Sequence, residues 1–217
     1  GYYGSSSISV SGMDSGSYAP FAATITCGTG DFNSTSDSEN FIRTGSVSSP
    51  KGAVACIGVA TTSTHTMYNN IVNMGIYEGL FSFNMYHAGA SLAQGKLALL
   101  RAYPTNPYSC VTKFSQWTNL MGDPALHLWT DKPMDFVVNY PSEIPSGINS
   151  FDVSVYDENG ESVEGARVIL LDSNGNLYTS YSDSDGMATI TWLANLSGDV
   201  ILNVFKNNFR LYEGSLN

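Results

Sequence analysis

With 217 residues the chain can hold one large or two ordinary domains, each able to bury a core without covalent staples. Nine Lys+Arg against nineteen Asp+Glu give a net charge of -10, which argues against nucleic acid or an anionic membrane surface as a partner. Three cysteines with no C-x-x-C spacing argue against a zinc site and against a disulfide framework, and at least one thiol is unpaired within the chain.

Gly1 to Gly16 is rich in Gly, Ser and Tyr and reads as a loop. Phe21 to Ile25 is a short apolar run of the length of a buried strand, and Gly28, Gly30 and Asp31 break it at once. Cys27 therefore falls at a strand's exit. Backbone that only glycine folds tightly can aim N–H groups at whatever docks on a thiol there, and an acyl-transfer nucleophile is built in this way. Free cysteine is also among the most buried residue types, so an inert core thiol is the competing reading until a base is found beside it.

Ser36-Asp37-Ser38-Glu39 has the capping-box spacing and opens a short helix that Gly45 stops. Asp31 and Glu39 read as solvated loop and cap residues, or as contacts for a basic substrate side chain. Ala53 to Ala60 is nearly all apolar without alternation, as in a parallel strand buried on both faces, with Cys56 inert in its middle. That strand delivers Thr61 to His65 into a loop. Ligands of parallel α/β sheets bind beyond the carboxyl ends of the strands, so Cys27 and His65 are expected to share one edge, with His65 a base or a plain surface or helix-cap residue.

Met67 to Phe81 reads as a helix with Met67, Ile71, Met74 and Leu80 on one face, its methionines filling core. Ala90 to Tyr103 is the clearest helix, with Leu92, Leu99 and Tyr103 on one face, Ala93, Leu97 and Leu100 beside them, and Pro104 and Pro107 ending it. Val111 to Trp129 mixes aromatics with a Gly122-Asp123-Pro124 turn; His127 is expected on a terminal strand, and His87 and His127 read as structural. Cys110 reads as a free thiol or as half of a disulfide with something outside this chain. No apolar run approaches the roughly 20 residues that a membrane span needs.

At Lys132-Pro133 the character changes. Phe136 to Asn139, Phe151 to Tyr156, Ala166 to Leu171, Leu177 to Tyr181, Ala188 to Trp192 and Val200 to Phe205 are β-rich runs separated by Asn-Gly and Asp-Gly turns, the pattern of a small antiparallel sandwich. Residues 1–131 and 132–217 are thus expected as two domains. Asp183-Ser184-Asp185-Gly186 reads as turn chemistry, since it lacks the later ligands of a calcium loop.

Ile25-Thr26-Cys27-Gly28-Thr29-Gly30-Asp31-Phe32 resembles the nucleophile segment of the gingipain family of cysteine peptidases, peptidase family C25. Lys51-Gly52-Ala53-Val54-Ala55-Cys56-Ile57-Gly58 is similar to that family's next core strand, and Asn119-Leu120-Met121-Gly122-Asp123-Pro124-Ala125-Leu126 to the segment closing its catalytic domain. The remainder resembles the immunoglobulin-like domain that follows. The resemblance implies a caspase-like α/β fold with a parallel sheet and flanking helices, then a small all-β immunoglobulin-like sandwich. It also implies secretion or a cell-surface location, no cofactor, and a Cys–His dyad acting on peptide or protein substrates. The loop at Thr62, Thr64 and His65 corresponds to the family's substrate pocket. The family's catalytic histidine stands in a Gly-His-Gly-Ser segment, matched here by Gly1-Tyr2-Tyr3-Gly4-Ser5, with Tyr3 at the histidine's position and Gly4 placed to donate to an oxyanion. The histidine is then expected from an amino-terminal segment of the same precursor. A catalytically inactive surface or scaffold protein is the rival expectation.

Overall fold

A computed structural model of the chain describes residues 10–13, 16, 18–144, 147–194 and 200–216. Two compact units emerge, residues 1–128 and 129–217. The second begins three residues ahead of the composition change at Lys132-Pro133.

The first unit carries a 3-10 turn (Val10–Gly12), β1 (Phe21–Ala23), α1 (Asp37–Arg43), a ribbon of β2 (Gly45–Ser46) and β3 (Ser49–Pro50), and β4 (Ala55–Val59). Then come α2 (Thr66–Ser82), α3 (Ala88–Ala102), a second 3-10 turn (Pro107–Ser109), α4 (Cys110–Trp117) and β5 (Thr118–Met121). β4 is central in the order β1-β4-β5, and every residue of it is buried. Ile57 packs with Val72, Ile76, Leu99 and Phe114, while Cys56 packs with Val10, Phe41 and Ala53, so the unalternating apolar run follows from burial on both faces.

The sheet is mixed rather than parallel. β1 pairs with β4 in parallel, but β5 runs antiparallel to it. The cause is the helical hairpin: α2 and α3 are antiparallel, Gly75 lying against Gly95 and Ala98 and Gly79 against Ser91 and Gln94. The chain is thereby returned to the carboxyl end of β4, where Trp117 accepts from the Ala60 N–H, and β5 can only run back down.

The buried face of α2 also differs from the expected one. It consists of Asn69, Val72, Gly75, Ile76, Gly79 and Leu80, while Met67 and Met74 are exposed, Met74 at 71%. Glycines let the two helix backbones approach, and this small-residue seam carries no hydrophobic signal that a search for apolar periodicity can detect. On α3, Leu92 and Leu99 are buried as expected, but Leu97 and Leu100 face outward. Cys110 is a buried free thiol. His87 and His127 stand opposite each other across an antiparallel bridge, with ring centroids 5.1 Å apart.

The second unit carries β6 (Phe136–Asn139), β7 (Gly147–Asp157), β8 (Arg167–Leu171), β9 (Leu177–Tyr181), β10 (Met187–Ala194), β11 (Val200–Phe205) and β12 (Tyr212–Leu216). They form antiparallel sheets of order β10-β7-β6 and β12-β11-β8-β9. Phe151, Val153 and Val155 of one sheet and Val168, Leu170, Leu202 and Val204 of the other share a single core. Three turns repeat one device. Asp157, Asp172 and Asp183 each accept two backbone N–H groups through Oδ1, from the residues two and four positions on, at 2.8 to 2.9 Å. Asp183 is thus a turn residue, as its sequence suggests.

Candidate active site

The loop after β1 is bound to β4 along its length. The Thr24 N–H donates to the Ile57 carbonyl at 2.7 Å, the Gly30 N–H to Val59 at 3.0 Å and the Gly28 N–H to Thr61 at 2.8 Å. The buried Thr29 hydroxyl lies 2.9 Å from the Thr24 carbonyl and 2.8 Å from that of Thr26, and accepts the Val59 N–H at 3.2 Å. Both glycines are required. Gly28 has φ +73°, and a Cβ on Gly30 would stand 2.7 Å from the Gly58 carbonyl carbon. The Cys-Gly-Thr-Gly sequence therefore fixes the backbone on either side of Cys27 while leaving the thiol exposed.

The loop after β4 supplies the partner. Cys27 Sγ lies 3.0 Å from Thr64 Oγ1 and 3.9 Å from the Thr64 carbonyl oxygen. That hydroxyl, aided by nearby backbone groups, holds the Cys27 thiol below the ordinary cysteine range, against a smaller opposing effect of burial. Cys56 is pushed the other way by burial. Thr64 Oγ1 also accepts from Asn69 Nδ2 at 2.8 Å.

The remaining candidates fall as follows. His65 is the N-cap of α2, and its Nδ1 accepts the Met67 N–H at 3.2 Å while its ring leans on Tyr68. Thr62 is exposed, with its methyl 3.6 Å from where a Cβ on Gly28 would stand, so it covers the turn beside Cys27. Asp31 is turned to Asn33, and Glu39 pairs with Arg43 at 2.8 Å, so each acid has its partner nearby in sequence. Tyr3 and Gly4 lie outside the described residues. Sequence reasoning missed Asn69. Its signal was positional, since residues 69, 72, 76 and 80 fall on one helical face and the other three are apolar. Among the described residues no cluster of three or more His, Cys, Asp or Glu side chains could hold a metal, and no helix is long and apolar enough to cross a membrane.

An exposed thiol is thus seated beyond the end of β1, between that strand's loop and the loop after β4. The family model of Peptidase family C25 matches residues 5–129, more than half of the chain. The chain belongs to this gingipain-like family of cysteine peptidases.

Solved structures give the same fold. The arginine-specific cysteine proteinase gingipain R (RGPB) is 22% identical with a TM-score of 0.71, over 92% of this chain and 45% of that one. A complex of the pro- and mature domains of Porphyromonas gingivalis RgpB is 21% identical with a TM-score of 0.71, over 92% of this chain and 47% of that one. A structure described only as a protease is 18% identical with a TM-score of 0.66, over 90% and 46%. The chain thus spans about half the length of the proteins it resembles, and its first unit has the caspase-like fold of gingipain. No curated protein matches it.

Proposed function

We propose that the chain is the carboxyl half of the catalytic domain of a secreted cysteine endopeptidase, followed by an immunoglobulin-like domain. The observation that carries this reading is Cys27, exposed and with a lowered pKa, on a loop within the span that the family matches. In this reaction the Cys27 thiolate attacks a peptide carbonyl, forming a C–S bond. The oxyanion is held by N–H groups, for which the Cys27 and Gly4 amides are the candidates. An imidazolium then protonates the leaving amine as the C–N bond breaks, and water hydrolyses the thioester.

Tyr3 is a poor substitute for that imidazole, because a phenol with pKa about 10 stays protonated at neutral pH. We therefore assign the histidine to a segment preceding Gly1 in the precursor. A gingipain complex of pro- and mature domains offers a precedent for a partner from the same precursor. Thr62 and His65 flank the substrate's path. Tyr3 at the histidine's position also favours a second reading, a gingipain-like surface or scaffold protein that has lost activity. A peptide-library assay separates them. Hydrolysis lost in Cys27→Ala, and appearing once the upstream segment is present, supports the peptidase; no hydrolysis with or without that segment supports the scaffold.

A further inference from the structure

Helices commonly pair the residue before the N-cap with the fourth helical residue through an apolar contact that fixes the entry of the chain. In α2 the N-cap is His65, so these positions are Thr64 and Asn69, and the contact is a hydroxyl bonded to an amide at 2.8 Å. The choice is costly. Asn69 is only 5% exposed, and its Oδ1 has no hydrogen-bond partner among the described residues. A buried amide oxygen without a donor lowers stability, and two apolar side chains would close the same corner without that loss. The pair is explained by what lies on the far side of Thr64, the Cys27 sulfur at 3.0 Å.

We propose that Thr64 donates a hydrogen bond to the Cys27 thiolate and that Asn69 is a positioning residue that fixes the direction of that bond. The threonine hydroxyl has one proton. With Asn69 Nδ2 donating to Oγ1, that proton is left to point at the sulfur, which as a thiolate can only accept. The charged and titratable groups of the surrounding segments are otherwise engaged: Asp31 with Asn33, Glu39 with Arg43, and His65 Nδ1 with the Met67 N–H. Hydrogen bonding rather than a neighbouring formal charge thus favours the ionised sulfur, in agreement with the causes of its lowered pKa. Thr64 becomes a donor to the reacting atom rather than a wall of the substrate pocket. The inference rests on Cys27 being the nucleophile, and it implies that the nucleophile is partly primed before any histidine reaches it.

The test is the pH dependence of iodoacetamide alkylation at Cys27, followed by peptide mass in the full 217-residue chain. Thr64→Val is expected to slow alkylation at pH 7 by about three- to tenfold and to move the profile to higher pH, while the limiting rate at high pH is unchanged. Thr64→Ser should restore the wild-type profile. Asn69→Leu should move it in the same direction as Thr64→Val, and Asn69→Asp further, because a carboxylate takes the threonine proton away from the sulfur. A merely structural role would alter the limiting rate instead. A Thr64→Val profile superimposable on wild type overturns the proposal, as does a Thr64→Ser profile as displaced as that of valine. Should Thr64→Val not fold, an unmoved profile in Asn69→Leu overturns it equally. None of these readings requires peptide hydrolysis, so the expected profiles together with no hydrolysis, with or without the upstream segment, would refute the peptidase and leave the Thr64 hydrogen bond standing.

Discussion

Thr29→Val removes one oxygen and tests whether the loop carrying Cys27 is held by hydrogen bonds. Valine matches threonine in shape, so no cavity opens, and only the hydroxyl's role changes. Without it the Val59 N–H, donated at 3.2 Å in the buried core of β4, has no acceptor, and the Thr24 and Thr26 carbonyls, at 2.9 and 2.8 Å, lose the single hydroxyl proton they share. A buried donor left unpaired costs about 1–3 kcal/mol and the lost bond about another 1 kcal/mol, so the first unit should lose about 2–4 kcal/mol. For a unit of roughly 130 residues this lowers Tm by on the order of 10 °C. Circular dichroism melts give the global effect, and hydrogen exchange at the Val59 amide gives the local one, with protection lost there. A Tm within about 2 °C of wild type, with Val59 still protected, would refute the reasoning, because the loop would then be held by something other than this knot.

Three further outcomes follow from the same structure. In the folded chain an alkylating reagent should label Cys27 well before Cys56 or Cys110, since the first is exposed with a lowered pKa and the others are buried; equal labelling would contradict the loop geometry. Gly95→Ala should destabilise by about 1–3 kcal/mol in a calorimetric melt despite the higher helix propensity of alanine, because its Cβ would stand 2.6 Å from the Val72 carbonyl oxygen; a stabilised variant would contradict the close helix packing. Backbone N–H groups at Asp157, and chiefly the Asn176 side chain at Asp172, lower both carboxyl pKa values, so their contribution is complete above the unfolded value near 4 and is lost as pH falls through the folded values. Acid titration of residues 129–217 should therefore show stability falling below about pH 4, and a loss confined between pH 8 and 5 would contradict the assignment.

Local chemistry was legible wherever it set local structure. The Ser36 cap, the buried run of β4 and the Asp-x-Asx-Gly turns of the second unit each speak through neighbouring residues. Where structure comes from distant packing, the sequence is quieter. α4, Cys110–Trp117, was not anticipated because Thr112, Lys113, Ser115 and Gln116 interrupt its apolar residues, and Phe114 finds its partners only across the core. β12, Tyr212–Leu216, was missed with Gly214 at its centre. The site divides the same way. Cys27 at a strand exit follows from the two glycines after it, but the contact of its sulfur with Thr64 across 37 positions is a tertiary fact. Asn69 read as an interruption of a helix, because an amide facing inward looks the same in sequence as one facing water.

In the proposed peptidase Cys27 is the nucleophile and the histidine comes from upstream of Gly1. The most direct test of this claim is active-site labelling of the chain extended upstream of Gly1, with a peptidyl acyloxymethyl ketone and mass mapping of the adduct. A single adduct on Cys27, formed rapidly with the upstream segment and slowly without it, is the predicted result. An adduct on another residue, or peptide cleavage that persists in Cys27→Ala, would contradict the claim.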